Sequence, residues 1–170
     1  ILEMTGKNNI AEVWPSLELF IHGGVSFTPY REQFKKIIGR DINYIDTYNA
    51  SEGFFAAQDR PGEDGMLLYV DHGIFMEFMP VEEYGKESPY TIGLRDVELG
   101  RNYALVISTN GGLWRYILGD TIQFTSLRPF RIKVSGRLKH FINAFGEEVI
   151  IDNTDKAVSI ACEKTGAVVN

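Results

Sequence analysis

Short apolar runs separated by glycine, proline and polar turns predict a chain that is α/β in its first third and mainly β afterwards. Residues 17–21 have the pattern of a buried strand that ends at His22-Gly23-Gly24. Thr28-Pro29 predicts a helix start, with the threonine hydroxyl as N-cap and proline at the first helical position, and Gly39 predicts the helix end. Residues 42–45 form the next strand pattern, so we expect a strand–helix–strand unit built on parallel strands.

After residue 60 the pattern changes to short strands separated by turn residues. Residues 66–70 and 74–79 predict a hairpin joined at Asp71-His72-Gly73, and Asn110-Gly111-Gly112 is typical of a second hairpin turn. Further strands are predicted over residues 103–109, 113–117, 121–125 and 131–134, and a final helix, with Asp152-Asn153-Thr154 as its N-cap, over residues 154–164. The predicted fold class is therefore α/β: a strand–helix–strand unit of a mixed sheet, followed by a mainly antiparallel β region and a C-terminal helix.

Length and composition narrow the class of protein. With 170 residues, of which 44% are hydrophobic, the chain can bury a core and forms one globular domain or a large piece of a bigger one. Its formal net charge of −6 argues against nonspecific nucleic-acid binding, and no apolar span or signal-peptide pattern indicates a membrane or export. The one cysteine, Cys162, excludes an internal disulfide and suits a reducing compartment, so we expect a cytoplasmic protein. The apolar pattern that starts at once at Ile1 predicts an internal fragment of a longer protein.

Residues 48–52 follow the strand pattern of residues 42–45 and carry three groups that suit a nucleotide. Ligands of open α/β sheets bind where the chain leaves the carboxyl end of a strand. There Tyr48 offers a flat ring for a base, Ser51 a hydrogen-bond donor for a phosphate oxygen, and Glu52 a hard oxygen ligand for Mg²⁺. Two downstream pairs, Gly119-Asp120 and Gly136-Arg137, fit the same nucleotide-dependent chemistry.

Each of the other candidate residues also has an ordinary structural interpretation. Asp120 can accept hydrogen bonds from two ribose hydroxyls or can cap a tight turn. Gly136-Arg137 can form a hinge beside a ribose or phosphate, or a solvated turn. Gly23 and Gly24 can let the backbone approach a flat ligand closely, or can only make a turn. The three histidines lack metal-ligand spacing, and the sequence has no Walker loop, dinucleotide fingerprint or nucleophile elbow, so zinc and hydrolase chemistry have no support.

Taken in order, these motifs resemble those of the adenylate-forming superfamily of acyl and aryl ligases. The series is His22-Gly23-Gly24, Tyr48-x-x-Ser51-Glu52, Tyr116-x-x-Gly119-Asp120 and Gly136-Arg137-x-Lys139. Within that superfamily the chain most resembles the auxin-responsive promoter family, the acyl-acid amido synthetases, on the segment Tyr48 to Glu52 and on Ala144-Phe145-Gly146-Glu147. The resemblance covers roughly residues 15 to 165.

The resemblance implies a site for ATP or AMP with Mg²⁺. Tyr48 would pack on adenine, Ser51 would bind near the α-phosphate, and Asp120 would bind the ribose hydroxyls. Glu52 would hold Mg²⁺, while Arg137 and Lys139 would be the catalytic residues. The full cofactor-binding set that the resemblance implies is Gly23, Gly24, Tyr48, Asn49, Ser51, Asp120 and Arg137.

The resemblance also implies a domain organisation and a reaction. Residues 1–136 would form the C-terminal part of a large adenylate-binding domain, residues 137–146 a hinge that contains Lys139, and residues 147–170 the start of a small C-terminal domain. In the family reaction a carboxylate attacks the α-phosphate of ATP to give an acyl-adenylate and pyrophosphate, and an amine then displaces AMP to form an amide. The expected partners are a small-molecule carboxylic acid and an amino acid, with neither nucleic acid nor membrane.

Two other functions stay open at this point. The chain could come from an acyl-CoA ligase of the same superfamily, which would use a thiol acceptor, or from an inactive module that only binds an adenylate or another protein. The family's Ser/Thr/Gly-rich phosphate loop would precede residue 1, and most of the C-terminal domain would follow residue 170. We therefore expect the isolated chain to be inactive as a catalyst.

Overall fold

The structure, a computed structural model, describes residues 1–24, 27–63, 65–138, 142–144, 147–149, 157–158, 160–162 and 164–166. Its helices are α1 (Leu2–Thr5), α2 (Ile10–Val13) and α3 (Arg31–Ile38), with 3₁₀ turns at Thr28–Tyr30 and Val81–Glu83. Its strands are β1 (Leu19–Gly23), β2 (Asn43–Ala50), β3 (Gly53–Ala57), β4 (Met66–Leu68), β5 (Ile74–Pro80), β6 (Asn102–Thr109), β7 (Tyr116–Leu127), β8 (Phe130–Arg137), β9 (Ile142–Ala144) and β10 (Glu147–Val149).

Within the described residues, β1 to β8 form one mixed sheet in the order β1-β2-β3-β4-β8-β7-β6-β5. β1 and β2 are parallel, and the other neighbouring strands of this sheet are antiparallel. β9 and β10 pair with each other in a separate antiparallel ladder. The main core contains Tyr48, Phe55, Ala56, Met66, Leu68, Phe78, Val97, Tyr103, Leu105, Ile107, Ile122, Phe124 and Ile132. The predicted α/β class, a parallel unit followed by antiparallel strands, is confirmed.

The strand–helix–strand unit is β1, α3 and β2, joined as the sequence predicts. The helix packs on β1 through aromatic rings: the centroids of Phe20 and Phe34 lie 4.9 Å apart. The helix ends at Gly39, whose amide donates to the carbonyl of Lys35. The predicted threonine N-cap is wrong, since α3 begins only at Arg31 and Thr28 makes no side-chain cap bond. Thr28 lies inside the 3₁₀ turn Thr28–Tyr30, so its own backbone is already helical and lacks the extended conformation that is typical of an N-cap residue.

The predicted hairpin of residues 66–70 and 74–79 is also wrong. β4 pairs with β3 and β8, whereas β5 lies at the far edge of the sheet beside β6. The sequence analysis missed β3, which takes the place beside β4. Its Phe55 and Ala56 are fully buried, so β3 lacks the polar–apolar alternation that marks a half-exposed strand.

The β6–β7 hairpin is confirmed, but β7 is longer than predicted. Thr109 donates its amide hydrogen to the carbonyl of Leu113, and the strands on either side pair antiparallel. The two short strands expected at 113–117 and 121–125 are one strand, Tyr116–Leu127. It continues through Gly119, whose φ of 87° bends the backbone in a way that glycine tolerates without ending the strand.

Part of the predicted C-terminal helix is visible. Residues 157–158, 160–162 and 164–165 are helical, and the predicted cap at 152–154 lies outside the described residues. Ile160 in this segment is 43% exposed. In the described part of the chain, no helix is both long and apolar enough to cross a membrane.

Candidate functional site

Three predicted site residues from different strands meet in the structure, at the carboxylate of one of them, Asp120. Asp120 on β7 and Arg137 on β8 are direct cross-strand partners, and the Arg137 Nε atom lies 3.1 Å from Asp120 Oδ1. The Tyr48 hydroxyl on β2 donates to Asp120 Oδ2 at 3.2 Å. The structure therefore brings together Tyr48, Asp120 and Arg137, which we call the Asp120 cluster.

Curvature of the sheet makes this contact possible. β3, β4 and β8 lie between β2 and β7, so a flat sheet would hold the two strands about 19 Å apart. The bond from Tyr48 to Asp120 therefore requires a curved sheet, in which β2 and β7 come closer than their places in the strand order would allow in a flat one. This proximity depends on three-dimensional packing, which spacing along the sequence does not reveal.

The Asp120 cluster combines a buried donor with an exposed cation. Tyr48 is only 5% exposed and its ring packs on Phe55, with the centroids 5.1 Å apart. Burial raises the pKa of the Tyr48 hydroxyl, and the negative charge of Asp120 raises it further, so the hydroxyl stays protonated and can donate. Arg137 by contrast keeps 65% of its side chain in solvent, and Asp120 keeps 17%. Tyr48 and Asp120 are thus mostly buried, whereas the Arg137 cation faces solvent.

The predicted stacking of adenine on Tyr48 stays a prediction. In this structure the ring belongs to the main core, and its polar contact is the bond to Asp120. The role that the geometry gives to Tyr48 is to orient a carboxylate. The sequence motif located the residue without indicating which part of its side chain acts.

The remaining residues of the predicted segment lie at the turn between β2 and β3. Asn49 and Ser51 are exposed, and Glu52 is half-buried. A bulge between Tyr48 and Asn49 shifts the register as the strand approaches the turn. The charge of Glu52 contributes to the raised pKa of Tyr48, which places this carboxylate in the electrostatic environment of the Asp120 cluster.

An open groove of about 610 Å³ lies beside Glu52. Three loops supply its walls, and the lining residues are Glu52, Gly53, Phe54, His72, Gly73, Ile74, Thr109, Asn110 and Gly111. Phe54 stacks on Tyr69 at 5.7 Å, and Tyr69 in turn contacts the ring of His72 at 4.4 Å. The volume falls in the range of small-molecule sites. The sequence analysis missed this groove because no single segment contains it.

Gly23 and Gly24 lie at the end of β1, next to β2. A Cβ atom on Gly23 would be 2.5 Å from the carbonyl oxygen of Thr47, so only glycine fits there. Gly24 has a φ of 85° and open space around it. Both findings agree with a backbone that can approach a ligand. They agree equally well with two glycines that only allow β1 to pack against β2 and the chain to turn after it.

The histidine before these glycines is part of the packing of the strand–helix–strand unit. The His22 ring stacks on Phe27 with centroids 4.2 Å apart, and its Nδ1 lies 3.4 Å from Asp46 Oδ1. Burial lowers the pKa of His22, which keeps the ring neutral near pH 7. Its backbone carbonyl accepts a hydrogen bond from the Thr47 hydroxyl at 2.9 Å, tying β1 to β2.

Glu52, the predicted Mg²⁺ ligand, suits a metal ion whose other ligands come largely from ATP. In the described part of the chain, no group of three or more His, Cys, Asp and Glu side chains is placed to hold a metal ion. Mg²⁺ commonly uses one or two protein carboxylates together with substrate phosphates. Glu52 alone therefore fits the predicted Mg²⁺ ligand only when a nucleotide supplies further oxygens.

Of the predicted hinge, residues 137–138 and 142–144 are described. Arg137 ends β8, and the next residue, Leu138, is buried against Met79, Ala104 and Val106. Lys139, the second predicted catalytic residue, lies outside the described residues. Leu138 thus anchors the chain to the sheet at the point where the hinge was expected to begin.

Two regions of the chain match models of one protein family. The GH3 family N-terminal domain matches residues 1–42, and the GH3 family central domain matches residues 67–137. The chain belongs to the GH3 family. This confirms the resemblance to the auxin-responsive family of amido synthetases that the ordered motifs predict.

Relatives with established names support the same assignment. Indole-3-acetic acid-amido synthetase GH3.3 of Arabidopsis thaliana is 28% identical over 137 residues, which are 74% of this chain and 22% of that protein. Jasmonoyl–L-amino acid synthetase JAR4 of Nicotiana attenuata is 30% identical over 121 residues, 67% of this chain and 21% of that protein. The chain thus spans about a fifth of the length of the curated relatives that it matches.

A solved structure shows the same fold. The GH3.15 acyl acid amido synthetase superposes with a TM-score of 0.69 at 21% sequence identity, covering 89% of this chain and 28% of that one. The curved mixed sheet that carries the Asp120 cluster is therefore a fold found in an amido synthetase of this family.

Proposed function

We propose that this chain is part of an ATP-dependent ligase that adenylates a small carboxylic acid and transfers its acyl group to an amino acid. The observation that carries the proposal is the convergence of Tyr48, Asp120 and Arg137 in a chain of the GH3 family. Its named relatives are amido synthetases for indole-3-acetic acid and for jasmonate. If the three residues only belonged to unrelated turns, there would be no reason for the side chains of Tyr48 and Arg137 to meet at Asp120.

The proposed role of Asp120 is to accept hydrogen bonds from the ribose hydroxyls. Tyr48 holds one oxygen of this carboxylate, so the group is oriented before a ligand arrives. Its other oxygen is paired with an exposed arginine, which can move to a ribose or phosphate oxygen when the nucleotide enters. In this account Arg137 exchanges the Asp120 carboxylate for an oxygen of the nucleotide, so its guanidinium has a hydrogen-bond acceptor at each stage.

The adenylation step builds negative charge around the α-phosphate. The guanidinium of Arg137 would offset part of that charge, and Ser51 at the β2–β3 turn would donate to a phosphate oxygen. Glu52 would bind Mg²⁺, which when bound neutralises phosphate charge. Gly23, Gly24 and Asn49 would complete the nucleotide contacts, and Lys139 would act from the hinge.

The groove beside Glu52 is the proposed place for the organic part of the carboxylic acid. An acid whose carboxylate attacks the α-phosphate must extend away from the metal, and the groove opens at that point with Phe54 and Ile74 as apolar walls. Its size suits a small molecule and its aromatic lining suits an apolar one. The amino acid acceptor would enter after pyrophosphate leaves.

The finer assignments complete the proposal. Residues 1–136 would belong to the large adenylate-binding domain, 137–146 to the hinge and 147–170 to the small domain. A cytoplasmic location, with neither nucleic acid nor membrane as partner, is supported by the single cysteine and the acidic net charge.

Carboxylic-acid-dependent exchange of pyrophosphate into ATP tests the proposal in the full-length protein. A panel of aryl and alkyl acids is screened with wild type, with Asp120→Ala, and with Asp96→Ala as a control that removes an exposed carboxylate outside the Asp120 cluster. We expect exchange with at least one acid, lost in Asp120→Ala and retained in Asp96→Ala. ATP binding without exchange would contradict ligase activity and favour an adenylate-binding module, while a product formed only with a thiol acceptor would favour an acyl-CoA ligase.

A further inference from the structure

Arg115, in the loop between β6 and β7, has an unusual backbone. Among the described residues it is the one non-glycine residue with a positive φ, at 46°. A side chain with a Cβ atom disfavours this left-handed conformation, and a residue stays in it only when its surroundings hold it there. The contacts that hold Arg115 therefore indicate what this conformation is for.

The side chain and the amide of Arg115 make three hydrogen bonds to three different segments. Its Nε donates to Glu77 Oε2 at 3.1 Å, its Nη2 donates to Thr91 Oγ1 at 3.1 Å, and its amide nitrogen donates to Ser108 Oγ at 3.0 Å. The Thr91 hydroxyl also donates to Glu77 Oε1 at 2.6 Å, so the acceptor carboxylate is itself fixed. We call these four residues the Arg115 clamp.

The clamped loop connects the two parts of the proposed site. At its start, Thr109, Asn110 and Gly111 form one wall of the groove. At its end, Arg115 leads directly into β7, which carries Asp120. β7 is held independently by its pairing with β6 and β8, whereas Asn110 and Gly111 of the groove wall lie in the turn that the bonds from the Thr109 amide to the Leu113 carbonyl and from the Gly112 amide to the Thr109 carbonyl close. Loosening the clamp should therefore disturb the groove more than Asp120.

We propose that Arg115 is a positioning residue that holds the groove wall in the shape needed for the carboxylic acid substrate. This rests on the proposed function, in which the groove takes the organic part of the acid and the Asp120 cluster takes the nucleotide. Arg115 acts through the loop and its contacts with Glu77, Thr91 and Ser108, and it need not touch the substrate. Loss of its guanidinium should weaken binding of the acid and leave binding of ATP almost unchanged.

Steady-state pyrophosphate exchange in the full-length protein separates these two effects. Arg115→Ala is compared with wild type, with Glu77→Gln, and with Arg101→Ala as the matched control. Arg101 is another ion-paired arginine, but its partners are Glu82 and Glu98, and it does not belong to the loop that supplies Thr109, Asn110 and Gly111 to the groove. We expect Arg115→Ala to raise the KM for the acid about tenfold, with kcat and the KM for ATP within about twofold. The KM for the acid should also rise in Glu77→Gln, by less than in Arg115→Ala, and it should be unchanged in Arg101→Ala.

Backbone hydrogen exchange provides a readout that does not depend on activity. The amide of residue 115 and the amide of Gly112 should exchange faster in Arg115→Ala than in wild type, and at the wild-type rate in Arg101→Ala. If the hydrogen-exchange rates of these two amides do not change in Arg115→Ala, the clamp is overturned. Equal rises in the KM for acid and for ATP, or a fall in kcat alone, would overturn the assignment to the groove. If the wild type shows no acid-dependent exchange, the proposed function fails and so does the substrate assignment, while hydrogen exchange still decides whether the clamp exists.

Discussion

Two arginines at opposite ends of β8 lie in opposite environments. Arg131 is 2% exposed, pairs with both oxygens of Asp59, and places its Nε 3.3 Å from Glu63. Arg137 has 65% of its side chain in solvent and makes its ion pair to Asp120 through Nε. The Arg131 guanidinium is buried and paired with two carboxylates, so it cannot reach a ligand, whereas the exposed Arg137, whose partner among the described residues is Asp120, can. The comparison teaches that the same residue type on one strand can serve the fold at one end and a ligand at the other.

The largest expected effect is on stability. Arg131→Ala should lower the free energy of unfolding by about 2–3 kcal/mol, less than a fully buried pair would cost because Asp59 and Glu63 retain solvent contact. Arg137→Ala should change it by less than about 1 kcal/mol, as is usual for an exposed ion pair. Urea denaturation of the two variants measures both numbers. Equal losses would remove the distinction between the two ends of β8.

A smaller effect is expected at the fixed end of the Asp120 cluster. Tyr48→Phe keeps the buried ring and removes the hydroxyl that donates to Asp120, so it should cost about 1 kcal/mol of stability. The carboxylate would also lose its orientation, and affinity for AMP should fall several-fold. Thermal denaturation and calorimetric titration check the two parts. Tyr44→Phe is the control, because its hydroxyl is buried and has no hydrogen-bond partner among the described residues. A loss of AMP affinity as large in the control would remove the role given to the Tyr48 hydroxyl.

The smallest expected effect is a pH dependence at the structural end. Hydrogen bonds from Arg131 lower the pKa of Asp59 below its ordinary value. A carboxyl whose folded-state pKa is lowered contributes stability above its unfolded pKa, near 4, and loses it as the pH falls through the folded value. Stability should therefore decline below about pH 4, and Asp59→Asn should make that decline shallower. Urea midpoints measured from pH 6 down to pH 3 test this. If the urea midpoint of Asp59→Asn fell as steeply below pH 4 as that of wild type, the stabilising pair of Asp59 with Arg131 would be contradicted.

The contrast between the two arginines also shows what the sequence could predict. The sequence indicates Arg137, Asp120 and Tyr48 because their motifs occur in a recognisable order. Arg131 carries no motif, and its partner Asp59 lies 72 residues away in sequence, so only folding reveals that pair. The curled sheet that brings Tyr48 to Asp120 was likewise not predictable from local patterns.

Errors in the predicted fold have the same origin. β3 was missed because a strand buried on both faces does not alternate, and without it β4 had no partner except β5. The predicted break in β7 came from reading Gly119 as a turn, although its positive φ only bends the strand. In both cases pairing between distant segments decided the outcome, and local residue preferences did not.

Titration of AMP into the full-length protein most directly tests whether one end of β8 binds a ligand while the other end only stabilises the fold. Asp120→Asn and Asp59→Asn each neutralise one carboxylate that faces an arginine of β8, one at each end. At a temperature where every variant is folded, the account predicts that Asp120→Asn weakens AMP binding at least about tenfold, while Asp59→Asn leaves it within about twofold of wild type. Unchanged affinity in Asp120→Asn, or an equal loss in Asp59→Asn, would contradict the placement of the nucleotide at the Asp120 cluster.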